Sequence, residues 1–390
     1  MQLERSIQDN TFSRHPRKKL ADSRWNKVLV VGLGEVGLPV AKYVKEKGLD
    51  AYGFDISQKA FEHAKIAGIK QTESFDGFGV YILCLPTHRA DNIFKPQIES
   101  LFSIVKRLAV EASKGALISI ESTVPRGTSR KVFELVNHRL HVAHVPHRWY
   151  ATEQESHGVN QLRVAGGVCD CCLRMAAKFY NGHDNATGGD DNAISPPNNK
   201  NSCGIVYESC ADAQVSNDVF TGTESSIRID TRSRGMIRIK SRTPKTAMGS
   251  SLNGPAFPSL GIPLHLVSDI EIAEVTKVAE NAHRYLQIAF AEDLYLYCRA
   301  NHINFVELRD ALNSKWNVEI LEPREGIGGH CLPKDTRIFL RSSKSIKSKI
   351  LTAAMKVDQE YRRFRQATNP EFQYPTEKPA IVSKMNRYHP

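Results

Sequence analysis

The chain has 390 residues, 41% hydrophobic and 24% charged, as expected of a water-soluble protein with two or three domains. No run is long and apolar enough to cross a bilayer, which argues against a membrane role. The net charge of +11 suits an anionic ligand. Its lysines and arginines are spread out, with small clusters at 17–19 and 228–242 and no recognition motif beside them, so nucleic acid is not expected as a partner.

Residues 1–26 read as a mobile tail. They lack the apolar core of an export signal, which predicts a cytoplasmic protein whose eight cysteines are reduced. From Lys27 strands and helices alternate. Strands are predicted at 28–31, 51–54, 80–85 and 116–120, and a helix at 39–47. That alternation implies parallel strands with crossovers, a doubly wound α/β sheet over 27–182.

Between the first strand and its helix lies Gly32-Leu-Gly34-Glu35-Val36-Gly37. Gly32 allows the tight turn, Gly34 the approach of a pyrophosphate, and Gly37 close packing of helix on strand. The helix amino end, with its unpaired N–H groups, then meets the phosphates. Asp55 ends the second strand at the right distance to bond a ribose hydroxyl pair and to repel a 2′-phosphate, so NAD is expected rather than NADP. Two later turns, Cys84-Leu-Pro-Thr87 and Ser122-Thr123-Val-Pro-Arg-Gly127, follow strands and carry hydroxyls suited to ribose and nicotinamide contacts. Cys169-Asp-Cys171-Cys172 has no second cluster of ligand spacing beside it in the sequence, and the segment reads as a helix start; no metal site is expected.

Residues 183–260 break the pattern. The first part is crowded with Gly, Asn, Asp and Pro, while 226–230 and 236–240 alternate apolar and charged residues like an isolated hairpin. The segment is read as an insertion that can be removed without loss of the fold. Regular structure resumes at 263–267. One long helix is predicted over 269–299, with Asp269 at its start and apolar residues at helical spacing, followed by a shorter helix at 305–312. The long helix carries more than one apolar stripe and is expected to make a homodimer. Residues 261–360 form the helical part of the chain, and polar residues from 361 to 390 read as a tail.

The most specific stretch is Gly326-Ile-Gly-Gly-His330-Cys331-Leu-Pro-Lys334-Asp335. Glycines let the backbone come close to a ligand, and His330 and Lys334 are expected to favour a thiolate at Cys331. Asp335 lies one helical turn from the cysteine.

These motifs resemble those of the UDP-glucose and UDP-N-acetylmannosamine (GDP-mannose) dehydrogenase family. The resemblance covers 27–182 and 262–340. It rests on the glycine turn, Ser122-Thr123-Val-Pro, Ala273-Glu-Val-Thr-Lys277-Val-Ala-Glu-Asn281 and Gly-Gly-His-Cys331. It implies a Rossmann-like sheet followed by a long central helix and a helical catalytic segment, with NAD as cofactor and a nucleotide sugar as substrate. Carried over by motif, Cys331, Lys277 and Asn281 are catalytic, with Asp335 and Thr123 assisting. In such enzymes a primary alcohol becomes a carboxylate in two hydride transfers, through a thiohemiacetal and a thioester on the cysteine. Two departures stand out. Where the family shows Pro-Glu, this chain has Pro146-His147, and His147 is expected to serve as base. Only 55 residues follow Asp335, without a βαβ pattern, so the chain resembles a shortened member lacking the sugar-nucleotide domain. The competing readings are a 3-hydroxyacid or 6-phosphogluconate type dehydrogenase, which needs no cysteine, and a noncatalytic NAD-binding protein.

Overall fold

The computed structural model describes residues 23–88, 97–148, 158–182, 257–342 and 348–369. After a short helical turn at Ser23–Asn26 the order is β1 (Lys27–Val31), α1 (Gly37–Glu46), β2 (Asp50–Phe54), α2 (Gln58–Ile66), β3 (Lys70–Gln71), β4 (Val80–Leu83), α3 (Glu99–Glu111), β5 (Leu117–Ile120), α4 (Thr128–Val136), β6 (His141–His144), β7 (Arg163–Gly167), α5 (Asp170–Asn181) and β8 (Leu264–Val267). The helical part comprises α6 (Ile270–Ala300), α7 (Phe305–Asn313), α8 (Cys331–Ser342) and α9 (Lys349–Thr368).

The eight strands form one sheet in the order β3-β2-β1-β4-β5-β6-β7-β8. The central strands β1, β4 and β5 are mostly apolar because both faces are covered. Val28 and Val30 point to one face, where they join Val40, Val44, Phe179 and Tyr180. Leu29 and Val31 point to the other, with Leu101, Val105, Val132 and Val136. Strand order reverses between β1 and β4, so the crevice beyond their carboxyl ends is the switch point where ligands bind in such sheets.

Two strands, β7 and β8, depart from the all-parallel expectation, since β8 runs parallel to β7. β7 runs antiparallel to β6, with Ala143 opposite Gly167 and His144 opposite Gly166. The reversal places Arg163, at the start of β7, beyond the carboxyl end of β6 rather than at its amino end.

The predicted segment limits need correction at two places. The proposed insertion reaches into the core at its end. Leu260 and Ile262 are buried, and their N–H groups donate to the carbonyls of Phe179 and Tyr180 at 2.9 and 2.7 Å. Excision of 183–260 would therefore cut into the hydrophobic core. The hairpin expected at 226–240 lies outside the described residues. At the other end, the supposed tail from 361 begins within α9, whose Leu351, Ala354 and Tyr361 are buried. Its apolar stripe is narrow and its other faces are densely charged, which hid the helix from a composition argument.

α6, 31 residues long, spans about 46 Å at 1.5 Å per residue. It begins as predicted at Asp269, whose carboxylate accepts the N–H of Glu271 at 2.8 Å. α8 and α9 pack along it, with Tyr285, Ala289, Ile327 and Ala354 as a small core. Beside that core Asp358 accepts hydrogen bonds from Tyr285 Oη (2.9 Å), the Ile327 N–H (3.1 Å) and Arg362 Nε (2.8 Å). The Tyr361 hydroxyl donates to the Arg324 carbonyl at 2.7 Å. α9 thus pins the loop that leads into Gly328-Gly329-His330-Cys331.

Glu292 lies wholly buried beside this knot. Burial first, then the nearby Asp358 charge, pushes its carboxyl from the ordinary 4.5 up to about 9. A raised acid is tolerated protonated, so its contribution to stability is full below about pH 4.5 and is lost as pH rises towards 9. Glu292→Gln should leave the melting temperature little changed at pH 5 and raise it at pH 8. The gain per pH unit within that window is at most about 1.4 kcal/mol. Melting curves at the two pH values check this, and equal shifts at both would refute it.

Candidate active site

At Gly32 the backbone takes φ +89°, and a Cβ there would come within 2.6 Å of the Cys84 carbonyl. At Gly37 a Cβ would meet the Gly32 carbonyl at 1.7 Å. The two outer glycines are thus demanded by the turn itself. Gly34 is different: a Cβ there would meet nothing within 4 Å, so its face opens onto the crevice. No side chain caps α1, whose N-cap is Val36, and an anion can approach its amino end. Asp55 accepts the Leu33 N–H at 2.6 Å and the Ser57 N–H at 2.8 Å. Its carboxylate therefore ties the glycine turn to the end of β2. Glu35 is exposed at the crevice, while Val36 packs against the core below α1. An open Gly34, an uncapped helix end and an acid at the tip of β2 together fit a dinucleotide.

Two of the predicted hydroxyls donate their protons to the backbone. Thr87 Oγ1 donates to the Thr123 carbonyl at 2.7 Å. Ser122 Oγ donates to the carbonyls of Leu85 at 2.8 Å and Leu83 at 3.2 Å. Both protons are committed to the backbone, because hydroxyls buried between adjacent loops must be satisfied there. These residues hold the turns after β4 and β5 together. Thr123 is half-buried on the second turn.

Across from the glycine turn, α6 and α8 bring four predicted residues into one group. Lys277 and Asn281 lie one turn apart on α6, and Cys331 and Asp335 one turn apart on α8. Asn281 Nδ2 donates to Asp335 Oδ2 at 2.5 Å. Asp335 also pairs with Lys334 at 3.3 Å. Lys277 feels the charges of Asp335 and Cys331, while burial, the larger effect, pulls its pKa down. Gly329 takes φ +76° just before the cysteine, and neither Gly328 nor Gly329 would bring a Cβ against anything within 4 Å. The backbone beside Cys331 is therefore open to a ligand.

Cys331 stands at the lip of this group, exposed on one side and crowded by protein on the others. Crowding pushes its thiol up from 9.0, and the Asp335 carboxylate adds to the rise. Lys334 and Lys277 oppose it without reversing it. The expectation of a resting thiolate is thus corrected. His330, expected to favour one, is held neutral with a pKa near 4 by burial and by Lys334. The cysteine loop lies beside the loop after β4, where His330 meets His88.

Sequence reading missed four groups here. His88, just after Thr87, lies with a ring nitrogen 3.1 Å from His330 Nε2, joining the β4 loop to the cysteine loop. Glu121, buried after β5, forms an ion pair with Arg163 at 2.6 Å and accepts a hydrogen bond from the Tyr180 hydroxyl at 2.6 Å. Arg163 is a wholly buried cation, and only a paired carboxylate makes that tolerable. Its other terminal nitrogen lies 3.2 Å from His147 Nε2. His144, buried at the end of β6, is held neutral near 3 by burial and by Lys277. None of these has a local motif, since each partner comes from a different strand or loop. His147 is likewise buried, with its pKa pushed well below 6.5 by burial, Arg163 and Lys277. It is a neutral, weakly basic ring at pH 7, which corrects the expectation of a base poised near neutrality.

A sheet with this strand order and glycine turn belongs to the Rossmann-like class. The helical part narrows the class. Residues 271–360 match the central domain of the UDP-glucose/GDP-mannose dehydrogenase family. The chain therefore shares that family's central domain and resembles its members over most of its length. It is 22% identical over 344 residues to UDP-N-acetyl-D-mannosamine dehydrogenase of Methanococcus maripaludis, covering 82% of this chain and 62% of that protein. It is also 22% identical to the enzyme of the same name from Campylobacter jejuni, covering 86% and 72%. The solved UDP-D-ManNAc dehydrogenase of Pyrococcus horikoshii superposes with a TM-score of 0.60 at 21% identity, over 87% of this chain and 69% of that one. The chain spans 62–65% of the length of the first curated relatives it matches.

A raised thiol pKa makes a direct prediction. Alkylation of Cys331 by iodoacetamide should be slow at pH 7 and accelerate through a midpoint above the ordinary thiol value of about 8.5. Peptide mapping of the labelled protein across pH measures it. A midpoint below 8 would show that the lysines prevail over burial.

Proposed function

We propose that this chain oxidises the primary alcohol of a nucleotide sugar to the uronate, with NAD as cofactor and Cys331 as covalent nucleophile. The observation that supports it most is the convergence of Cys331, Asp335, Lys277 and Asn281, with the cysteine loop held beside the loop after β4 by the His330–His88 contact. Gly32, Gly34, Gly37 and the amino end of α1 would hold the pyrophosphate and Asp55 the ribose. NAD supplies the acceptor for hydride lost from the substrate carbon.

The residues divide the remaining work. A four-electron oxidation must retain its aldehyde, and the Cys331 thiol does so by adding to the carbonyl as a thiohemiacetal. At the acyl level of oxidation the same bond is a thioester, and its hydrolysis releases the carboxylate. The oxygen of each adduct becomes negative as it forms. Lys277 Nζ, partly desolvated, and Asn281 Nδ2, oriented by Asp335, are its donors. Because Cys331 rests protonated, its proton must be taken up as the C–S bond forms. Asp335, one turn away and already accepting from Asn281, is the nearest carboxylate for that role. The neutral His147 lies against Arg163 and serves to orient it rather than to take a proton.

A panel of UDP- and GDP-sugars with NAD tests this proposal. Two NADH per sugar are expected, with Cys331→Ser abolishing turnover while NAD binding persists. Lys277→Ala should slow turnover roughly a hundredfold or more. Unchanged turnover in Cys331→Ser would favour the hydroxyacid-type chemistry, and bound NAD without turnover on any sugar would favour a noncatalytic role.

A homodimer belongs to the same proposal. Phe290 and Tyr297 on α6 and Trp316 after α7 are exposed, large apolar side chains of the kind that subunit interfaces cover. Sedimentation at micromolar concentration should show a dimer; a monomer would refute it.

A further inference from the structure

The three clustered cysteines gain a partner that the sequence did not suggest. Cys169 occupies the position before the first residue of α5, and Cys171 and Cys172 lie in its first turn. His138 comes from the turn between α4 and β6. The ligating atoms of these four residues all lie within 4.8 Å of one another. Cys169 Sγ is 3.0 Å from Cys171 Sγ and 3.4 Å from Cys172 Sγ. His138 Nε2 is 3.3 Å from Cys171 Sγ and 3.6 Å from Cys169 Sγ.

We propose that Cys169, Cys171, Cys172 and His138 bind one zinc ion. Zinc prefers four tetrahedral thiolate and imidazole ligands, at about 2.3 Å for sulfur and 2.0–2.1 Å for nitrogen. Such a tetrahedron separates its ligand atoms by about 3.5–3.8 Å, so the observed positions need only small side-chain adjustments. No sulfur pair stands at the roughly 2.05 Å of a disulfide. Binding replaces three thiol protons, which pass to solvent, and leaves the imidazole neutral.

The surroundings suit thiolates. The Val142 N–H donates to Cys172 Sγ at 3.3 Å. The amino end of α5 favours negative charge at its first turn. A ring contact with Phe133, centroids 4.7 Å apart, orients the His138 imidazole, and His141 Nδ1 lies 3.8 Å from Cys172 Sγ behind the group.

Location decides the role. His138 precedes β6 and the cysteines follow β7, and because β7 is antiparallel to β6, both ends meet at the amino end of β6. That is the end opposite the crevice holding Lys277 and Cys331. Four protein ligands close the coordination shell, which marks a structural site. The ion would clamp the short β6–β7 pairing, the one antiparallel joint in the sheet.

Elemental analysis of the full-length protein, expressed with added zinc and purified anaerobically with reductant, should give close to one zinc per chain. The amount should be unchanged in Cys331→Ser and fall severalfold in His138→Gln and in Cys171→Ser. Should those variants misfold, the wild-type protein reconstituted with Co2+ still decides the matter, because tetrahedral thiolate coordination gives intense visible bands and a sulfur-to-cobalt charge-transfer band. Negligible zinc after reconstitution, zinc retained in His138→Gln and Cys171→Ser, cobalt spectra without thiolate bands, or a disulfide within Cys169–Cys172 in the anaerobic protein would each overturn the proposal.

Discussion

Glu274 is a wholly buried carboxylate on α6, and much of the arrangement follows from how it is satisfied. Its two oxygens accept the N–H groups of Gly127 and Ser129, at 2.6 and 2.7 Å, at the amino end of α4. Gly127 has no side chain with which to cap that helix, so the cap must come from elsewhere. A buried acid and an uncapped helix end thus satisfy each other, and the pairing fixes both rotation and height of α6 against the sheet. Arg126 and Arg130 reinforce it through Glu271 and Asp269. Lys277 and Asn281 then follow, one and two turns further on, at the carboxyl ends of the strands.

With α6 so placed, the cysteine loop can be set by helix packing. α8 lies along α6 and carries Asp335 to Asn281, while α9 holds the loop before Cys331 through Asp358 and Tyr361. Each half of the site is thereby mounted on a rigid element. Gly328-Gly329 sits between two anchors, a buried Ile327 on one side and the start of α8 on the other. Such mounting limits the entropy lost when a substrate is bound.

Burial also sets the protonation of the site. Cys331 is pushed towards the thiol, Lys277 away from full charge, and His147, His144 and His330 are kept neutral. The deeply buried Arg163 is matched by Glu121. A thiol held protonated in this way is less reactive towards electrophiles than a standing thiolate.

Features carried by consecutive residues were readable from the sequence by itself. The glycine turn needs Gly at fixed positions because backbone atoms a few residues away would strike a Cβ. The long helix needs only its own periodicity and the Asp269 cap. Lys277 with Asn281, and Cys331 with Asp335, share a face because four residues make about one turn. Tertiary structure alone decided the rest. Glu121 finds Arg163 and Tyr180, His330 finds His88, Asp358 finds Ile327, and His138 finds three cysteines beyond an intervening strand pair. Each of these joins residues far apart in the chain, and none has a spacing that periodicity can express. The antiparallel turn of β7 belongs to the same class. A strand's direction depends on which neighbour satisfies its backbone, and in this protein it put Arg163 at one end of β6 and the cysteines at the other.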